Sequence, residues 1–198
     1  MYNHVMIDIE TLSTAPNALT VTIGACTFSL DPNEDPIGVS AQWGIDMVDA
    51  AKYGLHMDPN TVLWWMKQSQ AARDGLEKNR GNTLRSVLTE LQDFCMAARA
   101  NHKRQELHLW ANDPTFDCVI LENGYKACDV AVPWNYYETR SCRTKVFDYS
   151  HFYGGMSAKK EFPRENTHHD AEADAIYQAE LIRNITLTMQ KDIGFTPS

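Results

Sequence analysis

The chain has 198 residues, 43% of them apolar and 22% charged, which is long enough and apolar enough for one folded domain over residues 1–198 and excludes a disordered chain. Its 18 basic and 26 acidic residues leave a formal charge of −8. That balance argues against a protein that grips a long duplex by neutralising phosphates, and fits one that meets nucleic acid through divalent cations at a local acidic site. The five cysteines are odd in number and lack any C-x-x-C spacing, so reduced thiols of a cytoplasmic protein are expected, not a disulfide framework or a zinc site. The first apolar run, Val5-Met6-Ile7, is cut by Asp8, so no signal peptide is expected, and no stretch approaches the ~20 apolar residues of a membrane span.

In chain order, residues 4–9 read as a short buried strand. Residues 20–30, rich in β-branched and aromatic side chains, read as a second. The turn cluster Asp31-Pro32-Asn33-Glu34-Asp35-Pro36 then leads to a third strand over 39–45. The pattern next turns helical: Asp58 as N-cap and Pro59 at the first position predict a helix from Pro59 to Lys78. Leu84, Val87, Leu88, Leu91, Phe94 and Cys95 predict another over 82–100 with one buried face. A fourth strand over 107–111 precedes Asp113-Pro114, which opens a helix to about Lys126 with Asp113 as its cap. Helices are predicted again over 142–153 and 170–190, and Trp134, Tyr136 and Tyr137 are expected to pack against the sheet. The expectation is an α/β fold.

Within this frame three separate stretches carry hard oxygen donors. Asp8 and Glu10 lie two apart on a strand and project to one side, with Ile7 and Ile9 facing the other. Two like carboxylates so placed repel unless a cation sits between them, or both simply face solvent. Asp117 falls in the first turn of its helix, just beyond the carboxyl end of the preceding strand, where open α/β sheets bind ligands; it could equally serve only the helix dipole. Asp174 lies among Ala171, Ala173 and Ala175, small neighbours that let its helix approach the sheet closely. His169, five residues earlier, falls off Asp174's helical face and belongs at the helix entrance, with Thr167 or His168 capping. A histidine there suits a general base; its alternative is a surface or polar-network role. Four carboxylates without sulfur ligands suit Mg²⁺ or Mn²⁺, and a pair of such ions can serve phosphodiester hydrolysis.

Taken together, Asp8-Ile9-Glu10-Thr11, Phe116-Asp117 and His169 with Asp174 resemble, in that order, the motifs of the DnaQ-like exonucleases. These form the DEDDh branch of the RNase H-like superfamily. The resemblance covers nearly the whole chain. Thr61 to Arg73 and Arg140-Ser-Cys-Arg143-Thr144 are similar to the phage exonuclease A and exonuclease VIII-like group, related to the mycobacterial ribonuclease AS. The arginine motif of that group reads R-D-x-R-T, and Ser141 stands here in place of the acid. The resemblance implies a mixed five-stranded sheet with an antiparallel second strand, flanked by helices. It implies that Asp8, Glu10, Asp117 and Asp174 bind two Mg²⁺ (or Mn²⁺) ions, with His169 as base. The implied reaction is 3′–5′ hydrolysis of a single-stranded nucleic acid 3′ end, releasing nucleoside 5′-monophosphates.

Substrate contacts are expected from Thr11, Leu12 and Phe116 beside the acids, and from Arg140 and Arg143 on phosphate. Trp65 is expected to join them, in a doublet with Trp64 whose rings point in different directions on one helix. DNA is favoured over RNA on the phage-like resemblance alone, with an exoribonuclease as the alternative. A non-catalytic nucleic-acid-binding module has no need of five catalytic-type residues. A homodimer is an expectation from the resemblance.

Overall fold

The computed structural model describes residues 2–77, 80–164 and 170–194. Its centre is a five-stranded sheet built from β1 (His4–Thr11), β2 (Thr20–Phe28), β3 (Ile37–Gly44), β4 (His108–Ala111) and β5 (Thr139–Ser141). The order is β3-β2-β1-β4-β5, with β2 antiparallel to both neighbours and β4 and β5 parallel to β1. The meander and the antiparallel second strand thus stand as expected. Strand β5, only three residues long, is absent from the sequence reading because Thr-Arg-Ser carries no local β signal; its pairing with Leu109–Ala111 makes it a strand.

Alternation along β1 sorts the two sides of the sheet. Val5, Ile7 and Ile9 enter one apolar cluster, which also holds Leu84, Leu88 and Leu91 of α4 (Leu84–Ala100). Met6 enters the other, shared with Ala175, Ala179 and Ile182 of α8 (Ala171–Asp192). The remaining helices are α1 (Met47–Ala51), α2 (Pro59–Met66), α3 (Gln70–Glu77), α5 (Asp117–Ala127), α6 (Cys142–Phe152) and α7 (Ala158–Glu161). No described helix is long and apolar enough to cross a membrane, and all five cysteines are buried thiols.

Three expectations need correction. The helix foreseen over 59–78 is two, α2 and α3. Ser69 breaks it because its hydroxyl accepts the Ala72 N–H at 3.2 Å, offering the backbone a start in place of a continuation, while Arg73 donates to the Met66 and Gln68 carbonyls at the end of α2. Helix α5 begins at Asp117, not near Pro114: Asp113 closes a tight turn by accepting from Thr115 N at 3.1 Å, and Phe116 takes the cap position. Tyr136 and Tyr137 are 88% and 62% exposed and pack edge to face on each other, whereas Trp134 is buried as foreseen.

The approach of α8 to the sheet depends on Gly24. A Cβ there would lie 2.1 Å from the carbonyl of Ala171, the first residue of α8, and Gly24 pairs with Asp8 across the β1–β2 ladder. Of the three alanines around Asp174, Ala171 and Ala175 are fully buried and Ala173 is not. Gly24→Ala must therefore push the start of α8 outward. We expect about 1–3 kcal/mol of destabilisation from the overlap, read as a lower denaturation midpoint. An unchanged midpoint would show that α8 can yield without cost.

Candidate active site

Strand β1 carries Asp8 and Glu10 to the edge of a cavity of about 500 Å³, which is also lined by Asp117 and Asp174. Asp117 is the first residue of α5 and only 4% exposed, so the break after β4 delivers its carboxyl inward. Asp170 caps α8 through the Ala173 N–H at 3.1 Å, and the first turn that follows places Asp174 over the strand. That cap corrects the expectation of Thr167 or His168. Carboxylate oxygens of Asp8, Glu10 and Asp174 all lie within 4.8 Å of one another. One turn beyond Asp174, Gln178 donates through Nε2 to Asp8 Oδ1 at 2.8 Å. The buried Oε1 of Gln178 has no hydrogen-bond partner among the described residues.

Such crowding shows in the protonation of the group. Burial first, then Asp117, Glu10 and Asp174, hold the Asp8 carboxyl well above its ordinary range. Burial pushes Glu10 up to about 8, reinforced by Asp174 and Asp117 and opposed by Arg164. Burial likewise raises Asp117 to about 7, against hydrogen bonds from the backbone. An all-oxygen donor set that is costly to ionise when bare fits a hard divalent cation.

The other residues expected at the site are placed unevenly. His169 lies outside the described residues, as do Thr167 and His168. Phe116 lines both the acidic cavity and a neighbouring one of about 410 Å³, where Ile9, Glu10 and Thr11 meet Asn60, Thr61, Trp64 and Trp65. Trp65 is 5% exposed, and its Nε1 is fixed on the Thr11 carbonyl at 2.9 Å, so it builds the wall of that cavity; Trp64, edge-on to Trp65, is 44% exposed and offers the more accessible ring. Leu12 is turned into the core and lines neither cavity. Arg143 reaches the acidic cavity while paired with Asp113 at 3.2 Å. Arg140 does not: its guanidinium donates to the carbonyls of Tyr137 and Thr139. Ser141, standing where the resembling motif has an acid, caps α6 by accepting the Thr144 N–H at 3.1 Å, a role serine and aspartate fill alike.

Residues 3–186 match the family model described as the 3′-5′ exoribonuclease Rv2179c-like domain. The chain belongs to that family. No curated protein matches it. Among solved structures it is similar to cell-death related nuclease 4 (CRN-4), with TM-score 0.67 and 13% identity over 95% of this chain and 64% of that one. It is similar also to the nuclease domain of 3′hExo, a DEDDh family member, bound to rAMP (TM-score 0.59, 12% identity, 96% of this chain and 93% of that). A third is S. pombe Pop2p in its Mg²⁺- and Mn²⁺-bound form (TM-score 0.59, 13% identity, 93% and 82%). These likenesses show the fold alone: a mixed five-stranded sheet flanked by helices. The chain spans just under two thirds of the first of them.

Gln178, Arg164 and Lys159 are among the residues lining the acidic cavity of this family member that its motifs do not mark. For Gln178 a signal existed, since it lies one helical turn after Asp174.

The raised carboxyls make the metal-free fold sensitive to pH. Unfolded carboxyls ionise near pH 4, so above that the unfolded chain binds fewer protons than the folded one, and stability falls as pH rises toward about 8. His4, which burial, His108 and Arg140 hold down at about 3, works in the opposite sense below its ordinary 6.5. The informative window is thus about 6.5 to 8. We expect the melting temperature in EDTA to fall across it, and Glu10→Gln to flatten the slope. Saturating Mg²⁺ should stabilise the protein more at pH 8 than at 6.5. A metal-free melting temperature that is level or rising there refutes this account.

Proposed function

We propose that this protein is a metal-dependent 3′–5′ exonuclease that hydrolyses the terminal phosphodiester of single-stranded nucleic acid and releases nucleoside 5′-monophosphates. The observation that carries the reading is the meeting of Asp8, Glu10, Asp117 and Asp174, supplied by β1, α5 and α8, in one cavity. Family membership and the metal-bound neighbour Pop2p support it. Asp8, Glu10, Asp117 and Asp174 would hold two Mg²⁺ or Mn²⁺ ions, which when bound supply positive charge to the attacking and departing oxygens.

The chain's own residues then have distinct tasks. Gln178 keeps Asp8 turned toward the cavity. His169 takes the proton of the attacking water, whose oxygen bonds to phosphorus as the P–O3′ bond breaks; the freed 3′ oxygen is reprotonated from solvent. The second cavity receives the terminal nucleoside, its base against Trp64 and Phe116, where stacking contributes about 1–3 kcal/mol. Arg143 and Lys159, at the acidic cavity, face the phosphates.

RNA is put first as the polymer, because the family is one of exoribonucleases and the neighbour 3′hExo carries rAMP. DNA, favoured by the phage-like resemblance, is the alternative that one assay scores alongside it.

With Mg²⁺ and 5′-labelled single strands of one sequence, we expect a ladder shortening from the 3′ end, faster on RNA. EDTA and Asp8→Asn should abolish it, and His169→Ala should slow it by roughly 10²–10⁴. Trp64→Ala should raise KM more than it lowers kcat. Cleavage that survives both EDTA and Asp8→Asn, or none of either polymer by folded protein, defeats the proposal.

A further inference from the structure

Arg164, three residues past the end of α7, lies among the acids. Its guanidinium donates to Asp174 Oδ1, and the two side chains are only 10% and 14% exposed. Its guanidinium carbon lies 5.4 Å from the centre of the Tyr177 ring, and Tyr177 lines the same cavity. The neighbouring cations of the cavity differ: Arg143 is 67% exposed at its side chain, and Lys159 is exposed. Arg164 is therefore the buried cation of this group.

A buried guanidinium beside three clustered carboxylates has a plain electrostatic task. It supplies one positive charge where Asp8, Glu10 and Asp174 would otherwise repel, and an arginine cannot shed that charge by losing a proton. A divalent cation bound by the cluster would draw on the Asp174 carboxylate that Arg164 holds. Hydrogen-bond donor and metal compete for the lone pairs of that one carboxylate, and their charges repel. One must give way, and the long arginine stem allows it.

We propose that Arg164 is a resident counter-ion of the metal-free site, displaced from Asp174 when a divalent metal binds and then available to the phosphate of the nucleotide. The inference rests on the metal-dependent reading above and assigns to it a residue outside the carboxylate set. The planar, multiply donating guanidinium matches phosphate oxygens, which makes a single side chain serve the empty and the loaded cavity in turn. Metal and nucleotide binding are coupled as a result: the metal frees the group that holds the nucleotide.

Calorimetric titration of Mg²⁺, then of AMP at saturating Mg²⁺, tests this with wild type, Arg164→Gln, Arg164→Lys and Asp174→Asn. Without nucleotide, Arg164→Gln should bind Mg²⁺ roughly fivefold or more tighter than wild type, and Arg164→Lys should stay near wild type. With Mg²⁺ present, Arg164→Gln should lose about tenfold or more in AMP affinity. Its melting temperature should drop in EDTA, and the gap to wild type should close on saturation with Mg²⁺. A gap that persists with Mg²⁺ shows a merely structural arginine and overturns the proposal. So does unchanged or weaker Mg²⁺ binding by Arg164→Gln, or equal tightening in Arg164→Lys. Asp174→Asn separates the two levels: if it binds Mg²⁺ like wild type, the metal-dependent reading itself fails. If it loses Mg²⁺ while Arg164→Gln matches wild type, only the role of Arg164 fails.

Discussion

Mutual repulsion among buried carboxylates is the constraint around which this molecule is arranged. Asp8, Glu10 and Asp174 bring oxygens within 4.8 Å of one another, and Asp117 closes the same cavity at 4% exposure. Left bare, such a group opposes folding, because each ionised member loses solvation and gains like-charged neighbours. The surroundings answer with several devices at once. Gln178 donates to Asp8, Arg164 donates to Asp174, and the backbone helps to hold Asp117 down. None of these removes the excess of negative charge. On the proposed function such a site would receive a cation, and the tension would be the physical source of its affinity for one.

The fold exists to impose that tension from parts distant in the chain. The antiparallel turn of β2 puts Gly24 directly against Asp8, and the missing side chain at Gly24 lets the first turn of α8 settle on the sheet. The parallel step from β1 to β4 then sets the start of α5 beside the end of β1, so that a residue more than a hundred positions away joins the same cavity. Small residues on α8 do the rest: Ala171, Ala175 and Ala179 are fully buried, and the polar residues Asp174 and Gln178 lie between them on the strand side. Close packing and the acidic centre are thus one design, since loosening the first would separate the carboxylates and relieve the second.

What the chain discloses before folding follows from the range of the interactions concerned. Asp8 and Glu10 were legible because a strand's two-residue period is local, and α4 because its apolar repeat runs for four turns. Strand β5 was not legible, since three residues become a strand only through pairing with β4. The division of α2 from α3 turned on one serine hydroxyl that competes with the helix backbone, a contest that composition does not decide. Trp64 and Trp65 illustrate the same limit within one site. Adjacent on α2, they differ because the Thr11 carbonyl draws in Trp65 across more than fifty residues of sequence and leaves Trp64 at the surface. Arg164 is a tertiary finding of the same kind: nothing in its sequence neighbourhood marks it as the partner of Asp174.

A chain of formal charge −8 that is proposed to handle a polyanion must solve a problem of placement. Phosphate binding by broad neutralisation is closed to it, because the long-range field of the whole protein repels the polymer. Attraction has to be confined to a point. The structure supplies such a point in two adjoining spaces: a polar cavity with Arg143, Lys159 and Arg164 around the acids, and an apolar one walled by Trp64, Trp65 and Phe116. On the proposed function the first would take a phosphate and its metals, and the second a single nucleoside. Binding then draws on stacking and on a few charge contacts at the terminus, neither of which grows with the length of the strand. On the proposed function, a protein so built would meet the terminus through short-range contacts instead of holding the length of the strand.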